Sequence, residues 1–356
     1  MDMQDDPTIP DEKPPSKEFS EATHNHIIIL YSDAKREYFP TQDQFITEEE
    51  VKDRAHVIGT YLERLGFHVS LLPGSDESVK KIQRKDADLV INLVDSIRGQ
   101  EDLSPVIPAT LEFMNIPYTG SGIMGLAINA NKFFTKMLLS QNAVPVPHFQ
   151  LFNSASDALD YQLRFPLIVK LNEIHGSVEI SESSVVENER DLRLKIDGLM
   201  KVYKQPVLVE EFIVGRELTV LIFEGLNKKV YAGERIFLNG GKYKIVSFEA
   251  AWGKDDKYTY QKFPLDDNLK NYIKKAFEVL KMDDYARFDI RMDEAGRYYF
   301  IDANANPAMG PKETECAFGT LLSLYNVDFS DVMKRLIINT LKGDQPPQQT
   351  ATPVIL

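Results

Sequence analysis

Two aspartates and an asparagine late in the chain have the types and spacing to hold a hard divalent cation. Arg287-Phe288-Asp289-Ile290-Arg291-Met292, the turn Asp293-Glu294-Ala295-Gly296-Arg297, and Tyr298-Tyr299-Phe300-Ile301-Asp302-Ala303-Asn304 read as a β-hairpin. Both runs are rich in aromatic and β-branched residues, and the polar turn between them contains glycine. With Asp293 opposite Tyr298, Asp289 faces Asp302 directly, and Asn304 returns to the same face. Facing carboxylates lie about 5 Å apart at Cβ and repel, which a cation between them would relieve. Asp, Asp and Asn suit Mg²⁺ on phosphate oxygens better than zinc or copper. A solvated hairpin whose acids face water fits the same residues, and the hairpin alone does not decide.

The composition sets the frame for such a site. A chain of 356 residues implies two or three packed domains. Its formal charge, 41 − 54 = −13, argues against nucleic acid or an anionic membrane as the main partner. The single Cys316 excludes an intramolecular disulfide framework and a cysteine-rich metal site. With no secretory signal and no apolar run long enough to span a bilayer, a cytoplasmic location is expected.

The elements that must position the hairpin follow from pattern. Residues 1–24 are acidic and proline-dotted, an expected disordered leader. Strands are expected at 26–31, 67–72 and 87–93, with helices at 46–65 and 77–84, hence a parallel α/β sheet. Ligands of such sheets gather at the carboxyl ends of strands, here Ser32-Asp33 and Asn92-Leu93-Val94-Asp95. A helix at 131–139 carries Lys132 and Lys136 on one face. After the linker Pro145-Val146-Pro147 come strands ending at Lys170, at 207–213 and at 217–223, the pattern of antiparallel α+β layers. Gly240-Gly241 marks a hairpin, 248–264 reads as a long loop around Trp252, and helices are expected at 269–280 and 329–341. A mobile tail is expected over 343–356.

At these residues the chain resembles the ATP-grasp superfamily, in its D-alanine–D-alanine ligase branch. The resemblance rests on Ile116-Pro117-Tyr118-Thr119-Gly120-Ser121-Gly122, Asn131-Lys132-Phe133-Phe134-Thr135-Lys136, Ile168-Val169-Lys170, Leu208-Val209-Glu210-Glu211-Phe212, Gly215-Arg216-Glu217, Arg287-Phe288-Asp289 and Asp302-Ala303-Asn304. These matches run in order from about residue 90 to 310. The resemblance implies an ATP-grasp fold of mixed class, α/β and α+β: an N-terminal parallel α/β domain (25–128), then a central subdomain (129–215) and a C-terminal catalytic subdomain (216–342) clasping ATP. It implies a ligase in which ATP phosphorylates a small carboxylate and an amine then displaces phosphate, both substrates being of amino-acid type. Lys132 and Lys170 would contact phosphates; Glu210, Glu211, Phe212, Ile213 and Ile301 would receive adenine, and Glu217 the ribose. Asp289, Asp302 and Asn304 would hold two Mg²⁺ ions, with Mn²⁺ as the alternative. Arg287 and Ser177 would act in catalysis, and the family's habit implies a homodimer.

The departures concern the substrates. The family's phosphate loop, Glu-Gly-Ser-Ser-Val-Gly, becomes Ile174-His175-Gly176-Ser177-Val178-Glu179, which sets Glu179 where phosphates are cradled. Its early ammonium-binding glutamate is replaced by Tyr31-Ser32-Asp33-Ala34-Lys35-Arg36-Glu37, and its Lys-Tyr pair by Ala251-Trp252, leaving Lys254 or Lys257 as substitutes. Pro307-Ala308-Met309-Gly310 stands for Pro-Gly-Met-Thr, and an aspartate at 302 for glutamate. The reading is a carboxylate–amine ligase for substrates other than two D-alanines, with Lys35 and Arg36 reading an extra carboxylate. Alternatives are a diverged D-alanine–D-alanine ligase and an ATP-binding regulatory protein.

Overall fold

Strand runs of β-branched residues and amphipathic helices sort this chain into three sheets. The computed structural model describes residues 26–343 apart from 76, 79–81, 83–86, 225–227, 239–240 and 254–257. The first sheet is parallel, in the order β2 (His68–Pro73), β1 (His26–Tyr31), β3 (Leu89–Leu93), β4 (Tyr118–Thr119). The apolar runs of β1 and β3 are buried on both faces, as a parallel sheet requires. Where one helix was expected over 46–65 there are two, α1 (Gln42–Glu49) and α2 (Val51–Arg64), meeting at Glu50. The break lets α1 turn Gln44 and Glu48 inward while α2 packs Val51, Ala55, Ile58 and Leu62 on the sheet. The leader, the tail beyond 343, Gly240, Lys254, Lys257 and most of the 77–84 helix lie outside the described residues.

The remaining described helices are α3 (Val106–Phe113), α4 (Ile123–Asn129), α5 (Lys132–Gln141), α6 (Glu189–Tyr203), α7 (Phe248–Trp252), α8 (Asp267–Val279), α9 (Ala317–Leu324) and α10 (Phe329–Gly343). The second sheet is antiparallel, in the order β5 (Phe149–Phe152), β8 (Val207–Glu211), β6 (Leu167–Leu171), β7 (Val185–Val186). Against it lies α6, capped by Asn188 and unforeseen in the sequence reading. Its Leu192, Ile196, Leu199 and Tyr203 form one buried stripe, each aliphatic worth about 1.5–3 kcal/mol. The third sheet is β11 (Tyr258–Lys262), β10 (Lys229–Phe237), β9 (Arg216–Phe223), β12 (Tyr285–Met292), β13 (Tyr298–Asn304), also antiparallel. The expected loop at 248–264 therefore contains α7 and the edge strand β11.

The cores cut across the sequence order. Leu139 of α5 and Val144 beyond it pack with Phe288, Phe300 and Phe277 of the third sheet and α8, although α5 was counted with the central unit. Helices α9 and α10 send Phe318, Phe329 and Met333 into the core under the first sheet, beside Ile29 and Ile91.

Candidate active site

The second and third sheets face each other across a cleft of about 780 Å³. Its wall on the third sheet is the β12–β13 hairpin, where Asp289 pairs with Asp302 as expected. The route differs from the expected one. At the turn Met292 opposes Tyr298 and Ile290 opposes Phe300, and Ile301 bulges out before Asp289 meets Asp302. The turn closes with Gly296 at φ +77° and the Asp293 carboxylate accepting from the Arg297 amide at 2.9 Å.

The bulge has a structural use. The Ile301 carbonyl accepts from Lys136 Nζ at 3.3 Å and Lys170 Nζ at 3.4 Å. The same lysines flank fully buried Glu210, Lys136 at 3.0 Å and Lys170 at 3.3 Å. Helix α5 is started by Asn131, whose side chain accepts from the Phe134 amide at 3.1 Å. It presents Lys132 and Lys136 one turn apart, and Lys132 Nζ donates to Ile174 O at 2.5 Å. Burial lowers the pKa of both lysines, opposed by Asp302 and Glu101 for Lys132 and by Glu210 for Lys136. Burial alone would raise the Asp302 carboxyl; the positive field of Lys132, His175, Lys170 and Arg287 overrides it and holds the group below its ordinary value.

Lys132, Lys170, Ser177, Glu210, Glu211, Phe212, Ile213, Glu217, Asp289, Ile301 and Asp302 all line this one cleft. The amides of Glu211 and Phe212 donate to His148 O and Pro166 O, both at 2.9 Å, so of the three segment amides that of Ile213 carries no partner among the described residues. The Phe212 ring is held edge-on to Tyr243 at 5.1 Å and lies 4.5 Å from the Arg291 guanidinium. Glu217 is buried between Arg235 (2.5 Å) and Arg291 (2.6 Å). Asp289 accepts from Arg235 at 3.0 Å and Thr219 at 2.9 Å, and pairs with Arg287 at 3.2 Å. Neither Arg235 nor Arg291 was singled out as a site residue, since no motif marks a strand arginine as inward-facing.

Arg287 and Asn304 line a second cleft of about 760 Å³, formed between the first sheet, α1 and the hairpin. Buried acids collect there. Glu48 has one carboxylate oxygen without a partner among the described residues; burial, reinforced by the Asp95 charge, pushes it up to about 8. Burial likewise pushes Asp95 up to about 6, against the pull of Arg54. Arg54 is buried, ion-paired with Glu50 and 4.0 Å from Asp95. Lys35 and Arg36 are not part of this lining. Lys35 pairs with Asp33 at 3.4 Å and is half exposed, and Arg36 is spent on Phe39 O at 2.6 Å and Gln42 at 3.1 Å. Glu48 is a buried glutamate of this cleft that no motif marks; the break between α1 and α2 turns it inward.

The loop 174–179 joins the two clefts. His175 is clamped by Glu101, which accepts from its amide at 2.7 Å and from its ring Nδ1. Trp252 Nε1 donates to Gly176 O at 2.8 Å. Glu179 faces neither cleft, against the expectation from its position. Its carboxylate accepts from Tyr203 OH at 2.9 Å, and it is absent from the lining of either cleft.

These clefts and sheets match known proteins. The family model for the D-ala D-ala ligase C-terminus fits residues 138–338. The chain belongs to that family. D-alanine–D-alanine ligase B of Chromobacterium violaceum is 29% identical over 243 residues, 66% of this chain and 75% of that protein. An uncharacterized protein, y4sG, of Sinorhizobium fredii is 27% identical over 261 residues, 70% of this chain and 76% of that one. The crystal structure of a D-alanine–D-alanine ligase from Bacillus anthracis complexed with ATP superposes with a TM-score of 0.68 at 18% identity, covering 90% of this chain and 98% of that one. The fold of this family member is ATP-grasp, and its class is that of ATP-dependent carbon–nitrogen ligases.

Proposed function

We propose that the protein joins a small carboxylate to an amine through an acyl phosphate, and that the pair is not two D-alanines. ATP would lie in the larger cleft, its adenine at the Ile213 amide between Phe212 and Ile301, its ribose toward Glu217. Lys132 and Lys170 offset phosphate charge in a water-poor setting. Asp289, Asp302 and Asn304 would hold Mg²⁺, with Arg287 giving up Asp289 Oδ2 to the ion. They are hard oxygen donors on one end of the hairpin, and Asp302 spends one oxygen on the Ala303 amide at 3.1 Å, keeping the other for a ligand. Mg²⁺ there supplies charge neutralisation on the phosphates as the γ-phosphoryl moves in line.

The substrate carboxylate would enter the second cleft beside Arg287, and its oxygen would attack the γ-phosphorus as the bond to ADP breaks. The amine nitrogen would then attack the acyl carbon, expelling phosphate, with Arg287 offsetting charge on the acyl oxygen. A substrate ammonium entering beside Glu48 and Asp95 would supply the positive charge that lets these two raised carboxyls ionise. What carries the altered specificity is Trp252. It stands where the family's Lys-Tyr pair is expected, lines the second cleft, and bonds the phosphate loop with its indole N–H.

The test is ADP and phosphate release from MgATP with pooled amino acids and small carboxylates, set against D-alanine alone, with Asp302→Asn as control. Turnover by a pool and not by D-alanine is expected. Full turnover with D-alanine alone would establish the second reading, a diverged D-alanine–D-alanine ligase, which Glu48 favours. The turn of Glu179 toward Tyr203 weighs against the regulatory-protein alternative, whose remaining support is the loop's single glycine.

A further inference from the structure

His175 is the one described residue that lines both large clefts and also the small cavity beneath Asp302 and Lys136. Its ring is oriented by Glu101, which holds both the backbone amide and Nδ1. With Nδ1 bound to a carboxylate, the remaining ring nitrogen is the one turned to chemistry, as in any carboxylate–histidine pair. That atom, Nε2, is buried and has no hydrogen-bond partner among the described residues. A buried polar atom left unpaired is costly unless a ligand completes it. The backbone beside it is held where side chains are rare, with Ser177 at φ +57° and Glu179 at +62°.

We infer that His175 is a catalytic residue whose Nε2 hydrogen-bonds the γ-phosphoryl group as it crosses from the nucleotide cleft to the carboxylate in the second cleft. The inference rests on the nucleotide reading above. No bond is made to the histidine: the carboxylate oxygen–phosphorus bond forms, the bond from phosphorus to the ADP oxygen breaks, and the ring, as an imidazolium with Nδ1–H on Glu101, donates Nε2–H to a non-bridging oxygen throughout. Glu101 stays as the counter-charge behind the ring. A histidine at this point departs from the glycine expected of the family's loop, so the contact would be this chain's own.

Because the substrates are unidentified, the probe is ADP with Mg²⁺ and tetrafluoroaluminate, which mimics the phosphoryl group in flight, compared with MgADP alone by calorimetry. The proteins are the full chain, His175→Asn, which keeps a group for Glu101 and loses the far donor, and His175→Gln, which restores an amide donor at about the Nε2 reach. Expected is unchanged MgADP affinity in all three, tetrafluoroaluminate complex weakened roughly tenfold or more in His175→Asn, and partial recovery in His175→Gln. Equal tetrafluoroaluminate affinity in the wild type and His175→Asn, with MgADP still bound, would overturn the role of His175 and leave the nucleotide reading standing. A wild type that does not bind MgADP would overturn both.

Discussion

Asp302 and Glu48 are carboxylates set to opposite states by their surroundings. Asp302 sits in a cationic field that keeps it ionised. Asp302→Asn keeps the shape and removes the charge, so ATP turnover should fall by about two orders of magnitude or more, with Mg²⁺-dependent nucleotide affinity falling alongside. Steady-state kinetics and calorimetry check it. Glu48 has its folded value raised from 4.5 to about 8, mainly by burial. A raised carboxyl contributes stability below its unfolded value and loses it as pH climbs through the folded one. Thermal melts of the wild type should therefore decline from about pH 5 to 8, and Glu48→Gln should flatten that slope and exceed the wild type at pH 9, by on the order of a few kcal/mol. Asp95 pushes the same way over a lower range, so a residual slope should remain below about pH 6.

At the scale of elements, the hairpin does more than bring two acids together. Tyr299 and Asp302 are three residues apart, yet they oppose Arg291 and Asp289, two apart; Ile301 is the residue in excess. Deleting Ile301 would leave the acids paired and withdraw the carbonyl shared by Lys136 and Lys170. MgADP binding should weaken about tenfold or more while the fold persists. The hairpin, its facing acids and the lysines of α5 and β6 were legible in the sequence because each is a local pattern of period 2 or 3.6. The bulge was not, since nothing in Phe300-Ile301-Asp302 marks an unpaired residue. Glu48 escaped for the same reason in reverse: a continuous helical pattern from 46 to 65 concealed the break at Glu50 that turns α1 inward. Arg54, Arg235 and Arg291 look like ordinary solvated charges until the sheets pack around them.

For the whole molecule, loop 174–179 is the joint. Glu101 comes from beside the first sheet, Tyr203 from α6 on the second, and Trp252 from α7 beside the third, and all three grip it. Thr47 of α1 stands so close to Gly176 that a Cβ there would lie 2.8 Å from its methyl. Trp252→Phe removes the indole N–H and keeps an aromatic ring, smaller by three heavy atoms. Hydrogen exchange over 175–178 should quicken, and KM for ATP should rise a few-fold with a smaller change in kcat. Unchanged exchange there would show that the indole bond does not restrain the loop. Such long-range joints lie beyond sequence pattern, because they depend on which sheets meet.

One consequence of that joint is practical. Trp252 is the only tryptophan in the chain, and its ring stacks near Phe248 at the rim of the second cleft. Its emission therefore comes from one place, against loop 174–179. Any ligand that loosens or tightens that loop changes the polarity and quenching around a single indole. The protein thus carries a built-in optical reporter, with which unknown acids and amines can be screened by titration before any turnover is found.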